Sequence, residues 1–365
     1  MNRRRFSKAI VGLGAGAAMI KNALPASALA GSKPALHVPA EEEPHELTFM
    51  QWPVSRRVHP DPVFLRILQQ TIADIANAIA EFEPVILLAH KQQHQKIRRL
   101  VSRRVTLWDV PTDDLWCRDS GPLIAFQPNG KRALSHIRFN GWGGKQTHKN
   151  DGKIAETLAA ELGFDVIPSG LVGEAGGVEH DGAGLLMAHE SSWVNENRNP
   201  GLTRQEIGNR LMTAYGASSI IWSPGVWGED ITDYHIDSLA RFTGPGRAII
   251  NLPPQIDRSD PFHRAAQQSQ QALLDAGVSV ATFYEPARRR IKSFDFVASY
   301  ANYYVCNGGI IAAQFGDKQY DKEAERLLRA HYPGREIVTL NVDALGEIGG
   351  GIHCATQQVP AAHQG

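Results

Sequence analysis

Cysteine is scarce in this chain: three in 365 residues, Cys117, Cys306 and Cys354, far apart in the sequence. An odd number at such spacing does not form a disulfide framework. Cys117 and Cys306 lie among apolar residues and read as buried small hydrophobes, with an oxidised pair between them as the alternative. Excess charge is also missing. Lys and Arg together match Asp and Glu at 38 each, which removes the electrostatic case for binding nucleic acid or an anionic membrane surface. No low-complexity linker divides the chain. What remains is a sequence with 42% hydrophobic residues, ample for a large core and punctuated by Gly and Pro clusters.

Residues 1–30 read apart from the rest. Arg3-Arg4-Arg5-Phe6-Ser7-Lys8 is a basic opening that contains an arginine pair. Residues 9–20 are weakly apolar, Gly/Ala-rich and too short for a membrane span. Ala28-Leu29-Ala30 then offers a small-x-small cleavage site. The pattern is similar to a twin-arginine export signal, a receptor-read address rather than an anchor; a disordered basic tail is the competing reading. The expectation is export by the twin-arginine machinery, a periplasmic or secreted location without stable membrane association, and one catalytic domain over residues 31–365.

Apolar residues at helical spacing (Leu65, Leu68, Ile72, Ile75, Ile79) predict a helix over 65–82, with Pro84 fixing its end. Further helices are expected over 154–162, 203–215, 262–276 and 322–331. Strands are expected at 84–89, 105–110, 123–126, 164–167, 184–189, 219–222, 247–251, 278–283, 303–315 and 336–340. The helix–strand cycle recurs at roughly 55 to 65 residues, which predicts a stacked or circular array of similar α/β units.

Three segments carry chemistry. Gly349-Gly350-Gly351-Ile352-His353-Cys354 places a thiol after a run of glycines that lets backbone approach a ligand closely. Trp116-Cys117-Arg118-Asp119-Ser120-Gly121-Pro122 and Thr232-Asp233-Tyr234-His235-Ile236-Asp237 add an imidazole and two carboxylates. Together they supply a nucleophile, an acid–base group and acceptors for a planar, donor-rich guanidinium. Competing readings stand beside this one. Asp119 could pair with Arg118, Cys354 could be a buried structural cysteine, and His235-x-Asp237 could ligate a metal with His180-Asp181 and His353-Cys354.

Seven stretches, in order, widen the match: residues 116–122, Phe139-Asn140-Gly141-Trp142-Gly143-Gly144-Lys145, Asn197-Arg198-Asn199-Pro200, residues 232–242, Ser299-Tyr300-Ala301-Asn302-Tyr303, Phe315-Gly316-Asp317 and residues 349–360. On these the chain resembles the agmatine deiminases and related bacterial peptidylarginine deiminases of the guanidine-modifying superfamily. The resemblance implies a single-domain α/β propeller of five pseudo-symmetric, pentein-like units around a narrow central site, working without cofactor or metal. It implies Cys354 as nucleophile, His235 as acid and base, and Asp119 and Asp237 as guanidinium acceptors. Trp116, Asn302, Glu174 and Gly351 are the implied substrate-binding residues. The implied reaction is hydrolysis of agmatine to N-carbamoylputrescine and ammonia through a thiouronium on Cys354. Peptidylarginine deimination and non-catalytic guanidine binding are the alternatives; Arg138 is a candidate partner for a substrate carboxylate, against the reading of an outward-facing strand arginine.

The chain departs from the agmatine deiminase pattern in two places. Ala175 replaces a glycine, Glu179 stands where a histidine is typical, and His180 directly precedes Asp181, so His180 is not placed in the catalytic set. Tyr234 and the residues before it also differ from the plant-type pattern, which points to a different rim.

Overall fold

The computed structural model describes residues 36–293 and 295–362; the export signal proposed for residues 1–30 lies outside them. Each long helix begins on a residue suited to stop the chain from extending. Asp61 accepts from the backbone N–H groups of Val63 and Phe64 at the head of helix Pro62–Ile79, and Pro62 fills a position whose N–H has no partner in any case. Asp260 with Pro261 does the same for helix Pro261–Asp275. Thr203 and Glu206 form a capping box on helix Arg204–Tyr215. Asp317 caps helix Lys318–His331, which therefore starts one turn before the 322 expected from apolar spacing.

The strands assemble into five small sheets. In the second, Ile124–Phe126 runs antiparallel to Arg132–Arg138, which runs parallel to Asp165–Val172. The third repeats the pattern with Val178–His180, Leu185–His189 and Ser219–Ser223. The fourth uses Ala240–Phe242, Arg247–Leu252 and Ser279–Tyr284, and the fifth Tyr304–Cys306, Gly309–Ala313 and Glu336–Leu340. The first sheet closes the ring. Its antiparallel strand, Thr356–Pro360, comes from the far end of the chain and pairs with His45–Gln51, which is parallel to Val85–Ala89 and followed by Val105–Asp109. The five pseudo-symmetric units implied by the family resemblance are these sheets.

A helix crosses between the parallel strands of each unit and buries one face. Leu65, Leu68, Ile72, Ile75 and Ile79 of the first helix are all buried, each contributing roughly 1.5–3 kcal/mol by leaving water. Cys117 and Cys306 are buried, free and in separate apolar clusters, so the alternative of a disulfide between them is not realised.

The connection entering each antiparallel strand positions the site. Four short helical turns, Cys117–Ser120, Ala175–Gly177, Ile236–Ser238 and His353–Ala355, stand immediately before such strands, and residues 300–303 fill the same place in the fifth sheet. Asp119, Glu174, His235 with Asp237, Asn302 and Cys354 all sit in or beside these connections, one group from every sheet.

Candidate active site

The five connections bring the groups within bonding range of one another. Asn302 Nδ2 donates to Cys354 Sγ at 3.2 Å, and Cys354 Sγ lies 3.5 Å from Asp237 Oδ2. Across the site His235 Nε2 is 3.1 Å from Glu174 Oε2, and His235 Nδ1 is 3.6 Å from Asp119 Oδ1. Trp142 Nε1 donates to Asp119 Oδ2 at 2.8 Å. The other oxygen, Asp119 Oδ1, is buried without a hydrogen-bond partner, an arrangement that costs free energy unless a ligand supplies the donor.

Glycine at 176 allows these groups to approach closely. A Cβ on Gly176 would stand 2.7 Å from Asp119 Oδ1, 3.0 Å from His235 Nδ1 and 3.1 Å from Asp237 Oδ2. Two carboxylates and an imidazole thus converge on one point of backbone that a side chain at 176 would crowd. On the far side, a Cβ on Gly350 would meet the Trp116 ring at 2.5 Å and Cys354 Sγ at 3.5 Å, and one on Gly351 would meet Asn302 Oδ1 at 2.5 Å. Glu174 contacts His235, Asn302 contacts Cys354, and Trp116 and Asn302 pack on the glycines that precede Cys354.

Electrostatics separate the roles. Burial disfavours a charged His235, yet Asp119, Glu174 and Asp237 outweigh it and raise its pKa to about 9. Burial raises Asp119 to about 6, against the opposing pull of His235. Glu174 and Asp237 are held below the ordinary carboxylate value: burial works the other way, but Arg198 and His235 dominate at Glu174, and His353 dominates at Asp237. Burial first, then the charges of Asp237 and Asp119, push the Cys354 thiol well above its usual range. These carboxylates favour the protonated thiol; a bound cation would oppose their field.

Several supporting residues carried no individual role in the sequence motifs. Arg198 donates to Glu174 at 2.9 and 3.0 Å and to Asp233 Oδ2 at 2.7 Å. Lys145 donates to the same Asp233 oxygen at 2.7 Å. Trp142, Asp233 and Tyr234 have φ of 55°, 56° and 67°, the only non-glycine residues among those described with positive φ. Each such residue costs on the order of 1 kcal/mol, and all three belong to the site or its rim. Tyr234, where the rim was expected to differ, stacks on His189 at 4.8 Å and meets Phe262 edge-on at 5.0 Å. The Asn197-Arg198-Asn199-Pro200 and 139–145 motifs were the available signal for Arg198, Trp142 and Lys145.

Other expectations resolve away from the site. His180 packs on Tyr215 at 5.3 Å, and burial lowers its pKa to about 4. Glu179, in place of the typical histidine, pairs with Arg241 at 2.7 Å. Arg138 is exposed on its strand. The metal alternative finds no support: among the described residues no group of three or more His, Cys, Asp or Glu has the arrangement to hold a metal ion.

Two cavities flank the centre. One of about 320 Å³ has His235, Tyr234 and Gly349 on its wall together with Asp230, Asp257 and Asp295. The other, about 620 Å³, reaches Trp116 between Ile231 and Ile348.

A family model described as Porphyromonas-type peptidyl-arginine deiminase matches residues 37–360. The agmatine deiminase of Stutzerimonas stutzeri (strain A1501) is 33% identical over 359 residues, covering 89% of this chain and 95% of its own. The solved agmatine deiminase of Enterococcus faecalis superposes with a TM-score of 0.80 at 27% identity, covering 92% of this chain and 99% of that one. The C. jejuni agmatine deiminase with substrate bound has the same fold, with a TM-score of 0.81 at 24% identity over 90% of this chain and 97% of its own.

Proposed function

The chain belongs to the Porphyromonas-type peptidyl-arginine deiminase family, and we propose that this protein hydrolyses agmatine to N-carbamoylputrescine and ammonia. The observation that carries the reading is the convergence beside Gly176 of an Asp119 oxygen without a hydrogen-bond partner, an oxygen of Asp237 and the His235 ring, with Cys354 Sγ 3.5 Å from that same Asp237 oxygen. A guanidinium there donates to both carboxylates and presents its central carbon to the sulfur.

The steps follow from the charges. The guanidinium cation offsets the carboxylates that hold the thiol protonated, so substrate arrival favours the thiolate. Sulfur adds to the central carbon, and His235, protonated at neutral pH, delivers a proton to the departing nitrogen, which leaves as ammonia. The resulting S-alkylthiouronium is attacked by water. Neutral His235 accepts the water proton, the carbon–sulfur bond breaks and the urea product leaves Cys354 free.

Agmatine is favoured over a peptidylarginine on two grounds. The relatives named above are agmatine deiminases, and the cavity beside His235 is lined by Asp230, Asp257, Asp260, Glu285 and Asp295 against Arg289. That balance suits a distal ammonium better than a carboxylate. The test is ammonia release from agmatine, free arginine and a peptide with C-terminal arginine. Turnover of agmatine alone is expected; turnover of the peptide alone overturns the substrate assignment, and none on any of the three overturns the reaction.

Export through the twin-arginine route is part of the same proposal and rests on residues 1–30 of the sequence. Replacing Arg3 and Arg4 by Lys should retain the protein in the cytoplasm; unchanged export would overturn the route.

A further inference from the structure

Beneath the catalytic groups lies a second buried layer. Asp237 Oδ2, the oxygen nearest Cys354, is 2.8 Å from His353 Nδ1. Ser238, at 3.4 Å from Oδ1, is at the limit of hydrogen bonding. The other nitrogen of His353, Nε2, is 2.9 Å from Glu41 Oε2. Glu41 precedes the first strand and is itself gripped by Arg118 Nη2 at 2.9 Å, Arg241 Nη2 at 3.0 Å and the Val305 N–H at 2.9 Å. Arg241 in turn holds Glu179 and donates to the Tyr303 carbonyl at 2.6 Å. Every sheet contributes to this layer, as every sheet contributes to the one above it.

We propose that His353, braced from behind by Glu41, is a positioning residue that fixes the Asp237 carboxylate for the guanidinium. A carboxylate takes a guanidinium in a paired, planar geometry only if its rotation is stopped. Asp237 has no solvent to hold it, being fully buried. The two ring nitrogens of His353 reach Asp237 at 2.8 Å and Glu41 at 2.9 Å, and these contacts on opposite edges lock the ring. The lock acts on the oxygen that faces both the nucleophile and Gly176. Because His353 adjoins Cys354 in one turn of backbone, the sulfur and the acceptor oxygen are referenced to the same anchor. The inference rests on the deiminase reading of the site.

Three substitutions in the full chain separate positioning from packing. His353→Asn keeps a donor near the Nδ1 position, facing Asp237. His353→Gln reaches toward Glu41 and loses the Asp237 contact, and His353→Leu loses both. The expected result is that kcat/KM for agmatine falls roughly 10- to 100-fold in the Gln and Leu variants and recovers most of that in Asn. In an Asp237→Asn background the His353→Gln change should cost less than about threefold, because its effect passes through that carboxylate. Equal losses in Asn and Gln, or a full additional loss in the Asp237→Asn background, would overturn the proposal. Should the Gln or Leu protein not fold, His353→Asn carries the test alone: activity within about threefold of the parent supports the assignment and a loss like that of Asp237→Asn refutes it. A parent protein inactive on agmatine would instead sink the deiminase reading.

Discussion

His235 and Glu174 face each other at 3.1 Å in the buried centre, and Arg198 holds both oxygens of that carboxylate from the other side. Glu174 therefore stays ionised and, with Asp119, keeps the imidazole protonated through neutral pH. These carboxylates make His235 an acid in the resting enzyme, ready for the leaving nitrogen before it serves as a base.

The pH dependence follows. Asp119 must be ionised to accept the guanidinium, and its pKa is raised to about 6; His235 must start protonated, and its pKa is raised to about 9. The kcat/KM profile for agmatine should climb through about pH 6 and decline through about pH 9. Glu174→Gln removes a charge that favours imidazolium, so the alkaline limb should move to lower pH. A profile measured from pH 4.5 to 10.5 on both proteins checks the sign.

Trp142 offers a second test on the acid side. Its indole N–H bonds to Asp119 Oδ2 and stabilises the ionised carboxylate. Trp142→Phe should shift the acid limb upward from about 6 while leaving the alkaline limb in place. A shift of the alkaline limb alone would contradict the assignment of the two limbs.

Gly176→Ala probes this convergence directly. Gly176 is not among the positive-φ glycines, so alanine fits the backbone and the effect is steric. A methyl at 2.7–3.1 Å from Asp119, His235 and Asp237 displaces the groups that receive the guanidinium. Overpacking of this kind costs about 1–3 kcal/mol of stability, expected as a lowered melting temperature together with a raised KM for agmatine.

Cys354 should be sluggish towards neutral reagents. Burial and the carboxylates of Asp237 and Asp119 raise its pKa, so iodoacetamide at neutral pH should label it slowly, whereas a cationic haloacetamidine, which fills the guanidinium seat, should label it much faster. Mass analysis of the labelled chain reads both rates. Cys354→Ala should abolish turnover while agmatine still binds, as measured by calorimetry.

Much of the molecule was legible before folding was considered. The helix over 154–162 and the strand over 336–340 appear with the expected bounds, because continuous apolar periodicity and flanking Gly or Pro act locally. Strands such as Val178–His180, Ala240–Phe242 and Thr356–Pro360 were not expected. Three to five residues carry too little periodicity to announce a strand, and pairing partners supply the reason for these to extend. His45–Gln51 belongs with them, since its antiparallel partner lies at the opposite end of the chain.

The site divides the same way. Sequence alone determined which chemical groups exist: one thiol after three glycines, an imidazole two residues from a carboxylate, and a second carboxylate far upstream. It could not show that Arg198 braces Glu174, that His353 links Asp237 to Glu41, or in which direction the thiol is shifted. Those depend on distances between residues 24 to 312 positions apart, and on burial that strips water from charges and makes each neighbour count. Only closure of the five-sheet ring brings one connection from each sheet to a shared dry centre, and that closure decides what the individual groups can do.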